Sequence, residues 1–184
     1  MKRTTLVILT SLVCVSATVA VKHASAQKPE APPQADQLDF PVGDWNCTGN
    51  LMAMGKKPGH ATIGRAHSEK ILDGNWFVIH YDEEQTSANT KPYHVVQYIG
   101  YDRGRKQFVS VALDNTGSSF SAGSSSGWKG NALTLDETDA SSGKVVVFRD
   151  TFTRNDSGDL THAGTMQDKD KKWTKTDEET CHKS

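Results

Sequence analysis

Apolar and polar residues alternate in short runs along most of this 184-residue chain. After position 38, no window of about ten or more residues has the spacing of apolar positions that marks an amphipathic helix. Alternation with a period of two is instead typical of strands that bury one face. The pattern predicts about ten strands, near 44–53, 60–71, 75–83, 93–102, 107–114, 117–126, 131–136, 145–153, 159–167 and 172–181.

Residues that favour reverse turns separate these runs. Asp73-Gly74 is a typical hairpin dipeptide, and Asn115-Thr116-Gly117 and Asp156-Ser157-Gly158 are similar in kind. Such short connections join antiparallel neighbours, because parallel strands need long crossover segments. We therefore predict an all-β, antiparallel meander.

The first 26 residues follow a different pattern. Lys2 and Arg3 precede an apolar run over residues 6–21, and Ala24-Ser25-Ala26 supplies the small residues that signal peptidase accepts. A transmembrane anchor is the alternative, but polar residues interrupt the run and it is short for a span of about 20 apolar residues. We predict a signal peptide over residues 1–26. The mature protein is then periplasmic or secreted and has no transmembrane segment.

Residues 27–37 hold three of the six prolines and predict a flexible tether, so the folded domain spans residues 38–184. Loss of Lys2, Arg3 and Lys22 with the leader leaves 18 basic and 22 acidic residues, a formal net charge of −4. No basic stripe remains, which argues against a nucleic-acid partner. The sequence gives no oligomeric state.

Two cysteines, Cys47 and Cys181, remain after the leader. An even pair in an oxidising compartment predicts a disulfide. A metal pair is one alternative, but no second cysteine or histidine lies at short ligand spacing from Cys47. Two free thiols are the other.

The proposed disulfide also bears on the shape of the sheet. In an open sheet with about 4.8 Å per strand, the first and last strands lie tens of ångströms apart. A disulfide needs Cα atoms within about 7 Å. Closure makes those two strands neighbours and removes the exposed sheet edges. We predict that the meander of about ten strands closes into a barrel.

The segment 42–49, VGDWNCTG, resembles the G-x-W-x-G-x-G opening of lipocalin-like barrels, with Cys47 where the fuller motif has glycine. In such a motif Trp45 plugs one barrel end, and the glycines let the strand bend.

A second block looks like the middle of a bacterial, secreted domain-of-unknown-function family with a lipocalin-like, calycin-type β-barrel. The block consists of Ile99-Gly100-Tyr101-Asp102, Lys106, Phe108-Val109-Ser110-Val111 and Asp114-Asn115. The likeness covers most of residues 38–182 and implies a calycin-type barrel without an assigned activity or catalytic residue.

Six histidines remain in the mature chain, and none forms a recognised metal pattern. In haem-binding barrels of the nitrobindin type, which are more distant relatives by fold, a late-strand histidine holds the iron. His162 is the analogue here, and Gly164 beside it would leave room for a bulky ligand. A hydrogen-bonded or solvent-facing histidine is the alternative. The residues themselves predict no metal, no obligatory cofactor and no catalytic group.

The remaining candidates for a ligand pocket lie on four predicted strands: Trp76, His80, His94, Phe108 and Asp150. Asp150 shares a strand face with apolar residues, so an inward carboxylate there would need a partner such as Arg65 or Arg105.

A barrel of this size has an interior able to hold one ligand. The leading hypothesis is therefore an exported barrel that binds a small, apolar molecule. One alternative is a hydrolase or isomerase that uses His80, His94 or His162 as a base. A structural envelope protein is the other.

Overall fold

The computed structural model describes residues 41–116, 120–139 and 145–184. The predicted leader, the tether and the first residues of the predicted strand 117–126 lie outside these ranges. Within them, no helix is long and apolar enough to cross a membrane.

Strands dominate the described residues, and a 3-10 turn at Leu72–Gly74 is the one helical element among them. Each of the ten predicted strands overlaps an observed strand. A two-residue strand, β7, is additional. The strands are β1 (Gly43–Leu51), β2 (His60–Ile71), β3 (Trp76–Glu83), β4 (His94–Asp102), β5 (Gln107–Asp114), β6 (Phe120–Ser125), β7 (Trp128–Lys129), β8 (Ala132–Asp139), β9 (Val146–Arg154), β10 (Leu160–Gln167) and β11 (Trp173–Lys183).

All strand pairs are antiparallel, and ten of the strands close into a barrel. The order is β6-β5-β4-β3-β2-β1-β11-β10-β9-β8-β7, and β6 also pairs with β8. The ring therefore leaves out only β7, which pairs with the start of β8. This arrangement confirms the predicted meander that closes on itself.

The first and last strands meet at the disulfide. Cys47 and Cys181 lie directly opposite each other in the β1–β11 ladder. Their Cα atoms are 4.0 Å apart, and the two sulfurs are bonded. Both side chains are buried among apolar neighbours. The predicted pairing of the two cysteines is thus the one that the fold contains.

Apolar side chains fill one end of the barrel, which we call the apolar end. The indole Nε1 of Trp45 donates a hydrogen bond to the carbonyl oxygen of Pro41 at 2.8 Å, so this buried ring keeps a polar partner. Trp45 occupies the place that the resemblance gave it. The buried apolar residues around the disulfide are Trp45, Phe77, Ile99, Phe108, Leu133, Leu135, Phe152 and Leu160.

Polar side chains occupy inward positions towards the other end of the same strands, which we call the polar end. Because side chains alternate between the two faces of a strand, residues two apart along each strand point into the barrel together. The inward face therefore changes from apolar to charged along a single strand, as from Leu133 to Glu137 in β8. The same change occurs from Cys181 to Asp177 in β11.

Candidate functional site

Four charged residues on three adjacent strands form the centre of the polar end, and we call them the lumenal site. They are Asp150 on β9, His162 on β10, and Asp177 and Glu179 on β11. The ladders set their positions, since His162 lies opposite Glu179, and Gly164 lies between Asp150 and Asp177. The antiparallel register thus brings together residues that are far apart in sequence.

His162 lies between the two aspartates. Its Nδ1 is 3.2 Å from Asp177 Oδ2, and its Nε2 is 3.6 Å from Asp150 Oδ1. The imidazole also packs against the ring of Phe152, with the two centroids 5.0 Å apart. Only 26% of the histidine side chain is exposed. The contacts fix the ring from both nitrogen sides and from one face.

The two aspartates determine the charge of this histidine. Burial alone would lower the pKa of His162, but the carboxylates of Asp150 and Asp177 accept hydrogen bonds from its N–H groups and raise its pKa well above the ordinary value of 6.5. Burial would also raise the pKa of Asp177. His162, the Thr176 hydroxyl and the backbone N–H of Gly164 outweigh burial and lower it. An imidazolium between carboxylates is therefore the stable state at neutral pH.

Gly164 makes this arrangement possible. A Cβ at position 164 would collide with the Asp177 carboxylate and the Thr176 hydroxyl. Without one, Asp177 lies close over the β10 backbone and accepts its N–H. The missing side chain of Gly164 was also the reason to expect space for a ligand beside His162. In the structure the Asp177 side chain occupies that space.

Glu179 has a partner on β3, three strands away in the ring. The Tyr81 hydroxyl donates to Glu179 Oε1 at 2.5 Å, and the tyrosine ring lies against Gly64. Burial and the nearby Glu179 carboxylate raise the pKa of Tyr81 well above its ordinary value. The phenol therefore stays protonated and acts as a hydrogen-bond donor.

A fourth carboxylate, Glu137 on β8, is enclosed by neutral donors. Ser110 and Ser121 each donate to it at 2.5 Å, and the Gln97 amide donates at 3.1 Å. Burial and the charge of Asp150 raise the pKa of Glu137, although the three donors oppose this rise. Ser121, from the serine-rich run in β6, thus donates a hydrogen bond to a carboxylate of the lumen.

Glu83, at the end of β3, completes the acidic lining. Its Oε1 is 2.8 Å from His60 Nε2, and its Oε2 accepts from the Asn89 amide and the backbone N–H of Tyr93. Burial would raise the pKa of Glu83, but the Tyr93 N–H, His60 and Asn89 together lower it.

We expect the free energy of unfolding to be largest near pH 5 to 6. His162 stabilises the fold fully below its ordinary pKa of 6.5, and this contribution disappears as the pH rises through its higher folded value. Asp177 contributes above its ordinary 3.8 and loses that contribution as the pH falls. Glu137 has a folded pKa above its ordinary 4.5, so its contribution to stability is lost as the pH rises through that folded value. This moves the maximum of stability towards lower pH. Urea unfolding from pH 3 to 9 measures this curve. A stability that keeps rising beyond pH 8 would contradict it.

The structure brings together two of the predicted site residues and separates the others. Asp150 and His162 meet in the lumenal site. Phe108 lies in the apolar end, where it packs edge-on against Tyr101 with centroids 5.3 Å apart. The partners expected for Asp150 pair elsewhere, Arg65 with Glu84 and Arg105 with Asp102. The expectation of an arginine partner was wrong, because His162 on the neighbouring strand is nearer.

Trp76, His80 and His94 lie on the outer face and do not line the lumen. In the β3–β4 ladder they alternate with Phe77 and Ile99, which are buried inside. Trp76 covers Gly100, and the exposed His94 Nδ1 contacts the carboxylate of Asp82 at 2.7 Å. These three residues therefore do not belong to the lumenal site.

Sequence reasoning missed most of the acidic lining. A weak indication was present, because the last strand is polar on both faces apart from Trp173. In the structure its inward positions point Asp177 and Glu179 into the lumen. Glu83, Glu137 and Tyr81 gave no comparable signal, since a single polar residue at the end of an apolar strand resembles a solvated one.

His162 does not fit the role of a haem ligand in this arrangement. An axial histidine must offer a neutral nitrogen to the iron. Both ring nitrogens of His162 face carboxylates instead, and its pKa is raised, which favours the protonated ring. A group of three or more residues able to hold a metal ion is likewise not found among the residues that the structure describes.

A recess of about 490 Å³ lies elsewhere, on the outer side of β2, β1 and β11. It follows the outward faces of these strands and does not include the lumenal site. Its lining residues are Thr48, Gly49, Asn50, Ala61, Thr62, Ile63, Glu178 and Thr180, and all of them except Gly49 and Thr62 occupy outward positions.

A family model described as "Protein of unknown function (DUF1579)" matches residues 31–183. The chain belongs to the DUF1579 family. This result confirms that the sequence motifs identify a domain-of-unknown-function family with a lipocalin-like barrel. Among the curated proteins, no significant relative of this DUF1579 chain is found.

Solved structures match the barrel of this DUF1579 protein. The crystal structure of Rv2717c from M. tuberculosis aligns with a TM-score of 0.62 at 10% sequence identity. The alignment covers 84% of this chain and 99% of that chain. At such low identity the match shows a shared fold and carries no residue roles.

Proposed function

We propose that this DUF1579 protein is an exported barrel that binds a small molecule at the polar end of its lumen. The observation that carries the proposal is the lumenal site itself. Asp150, His162 and Asp177 are held in fixed contact at inward positions, with Glu179 and Tyr81 beside them. Such convergent polar groups inside a barrel are typical of a binding site.

Stability alone does not account for this lining. Partly buried ion pairs cost desolvation free energy, and well-packed apolar residues of similar volume are often as stable or more stable. The apolar end shows that the same strands can be filled in that way. Charged groups that are kept inside a barrel, next to a close-packed core, are better explained by recognition.

Two features support export. Residues 1–26 have the pattern of a signal peptide, and residues 27–37 that of a flexible tether. The disulfide between Cys47 and Cys181 suits an oxidising compartment. We therefore place the protein in the periplasm or outside the cell.

The chemistry of the lining favours a different ligand from the one expected from sequence. An apolar molecule was expected because the strands are rich in apolar residues. Most of those residues lie in the apolar end or on the outer face. The lumenal site presents carboxylates and a phenol, which favour a polar ligand.

The structure gives less support to the enzyme alternative. A histidine base must be neutral near neutral pH. The raised pKa of His162 favours its protonated form, and His80 and His94 lie on the outer face. A native protein that carries no ligand and takes none up would instead favour a structural envelope protein that acts through its outer surface.

The test is mass spectrometry of the full protein, isolated natively from its own host and again after unfolding and refolding. We expect one small molecule per protein in the native sample and none in the refolded one. An export assay on the same strain, with N-terminal sequencing of the recovered protein, should show a start at Gln27. A native sample without any bound molecule, which also takes up none from a host extract, would reject ligand binding.

A further inference from the structure

We infer that the lumenal site selects a small organic cation, an alkylammonium or similar amine. The inference deepens the proposed function and rests on it. It follows from the charge of the lining, from one buried hydroxyl without a partner, and from the way in which the site already holds a cation.

Negative charge dominates the polar end. In the described strands, the inward positions there carry Glu83, Glu137, Asp150, Asp177 and Glu179, and none carries lysine or arginine. The basic residues at inward registers lie at the opposite, apolar end. There the Lys183 ammonium is 5.4 Å from the centre of the Trp45 ring, and the Arg154 guanidinium is 5.2 Å from that of Trp128. An anionic ligand would meet repulsion at the polar end, and a cation would meet attraction.

The Thr62 hydroxyl is the second, independent observation. Thr62 is only 8% exposed, and its Oγ1 has no hydrogen-bond partner in the structure. It alternates with His60 and Gly64 on the inward face of β2. A buried hydroxyl without a partner loses free energy, so such groups generally meet water or a ligand.

Thr62 and Glu179 lie in one row of inward positions, on either side of Gly49. Thr62 lies opposite Gly49 on β1, and Gly49 lies opposite Glu179 on β11. Because position 49 lacks a side chain, the Glu179 side chain occupies the space above it, where a Cβ would collide with its Cγ. The next residue along this row is His162. One line of inward positions therefore joins the hydroxyl, the carboxylate and the imidazolium.

An ammonium group matches these partners in number and in kind. It has three N–H donors. The Glu179 carboxylate, the Thr62 hydroxyl and the Tyr81 phenol oxygen are acceptors, and Tyr81 already contacts Glu179. His162 shows that the neighbouring carboxylates can hold a cation in the lumen. Leu51, Phe148 and Met166 have inward registers around these groups and offer apolar contact to a short alkyl chain.

Calorimetry with three probes of equal length tests the inference. Hexylamine, hexanol and hexanoate are titrated at pH 7 into the full, disulfide-linked protein, and butyl and octyl sets follow. We expect the amine to bind at least about tenfold more tightly than the alcohol, and the acid to show no binding. Glu179→Gln should reduce amine affinity about tenfold or more. The matched control is Glu178→Gln, on the outer face of the same strand, and should leave it unchanged.

Thr62→Val provides a test that does not depend on removing a charge. This variant replaces the unpartnered hydroxyl with a methyl group of similar size, so we expect an equal or higher thermal stability and an amine affinity lowered about fivefold. Thr48→Val, on the exposed face of β1, is its control. Equal binding of amine and alcohol would overturn the cation inference and leave the proposed function in place. Failure of all probes, together with no bound molecule in the native protein, would overturn both.

Discussion

The double variant Cys47→Ala/Cys181→Ala should unfold with a free energy about 5 kcal/mol below that of the disulfide-linked protein. The bond joins residues that are 134 positions apart. In the chain-entropy model, the cost of closing so long a loop is removed from the unfolded state, so the link stabilises the fold. It also joins β1 and β11, which are the first and last strands of the ring in sequence order.

Urea unfolding, followed by circular dichroism, measures this difference. The reduced wild-type protein is the control, because it keeps both buried side chains and lacks only the bond. If the reduced protein and the alanine variant agree, the loss comes from the bond and not from the smaller side chains. A loss below about 1 kcal/mol would mean that the β1–β11 ladder is held by its own contacts alone.

His162→Gln should cost about 3 to 5 kcal/mol at pH 6. The substitution leaves Asp150 and Asp177 in the lumen without the cation between them. Removing one member of a buried charge set is strongly destabilising, because the remaining charges keep their desolvation cost. The fall of stability above neutral pH should disappear in the same variant, since the histidine causes it.

Removing the charges of the two aspartates as well should restore stability. The triple variant His162→Gln/Asp150→Asn/Asp177→Asn no longer buries unpaired carboxylates, so we expect it to recover at least half of the loss. The control is His94→Gln, whose exposed pair with Asp82 should contribute less than about 1 kcal/mol. Equal losses of unfolding free energy for His162→Gln and His94→Gln would show that the buried contacts of His162 stabilise the fold no more than an exposed ion pair does.

Much of the fold could be predicted from the sequence, because local rules determine it. Alternation located the strands, and turn residues such as Asp73 and Gly74, which have φ values of 61° and 80°, located the reversals. Only the closure needed information from distant residues. Cys47 and Cys181 supplied it, since a bond between the first and last strands is incompatible with an open sheet.

The candidate site was harder to predict, because strand parity decides it. Both faces of β3 carry apolar residues, and Val78 on the outer face is almost as buried as Phe77 on the inner one. Alternation therefore did not say whether Trp76 and His80 point inwards. The partners of Asp150 depended on the β9–β10–β11 register, which includes an irregularity between Gly164 and Thr165. Neither the inward face of β3 nor the register of β9, β10 and β11 can be derived from the sequence of a single strand.

The pairing of β1 with β11 also has a consequence for biosynthesis. A ribosome makes the chain from its N-terminus, so β1 emerges with its C-terminal partner still unmade. Until those last residues arrive, one backbone edge is unpaired and the Cys47 thiol has no mate, and both promote association between nascent chains. Oxidation of this cysteine pair and closure of the ring therefore require that β11 has been made. A chain that terminates before Trp173 is left as an open, self-adhesive ribbon.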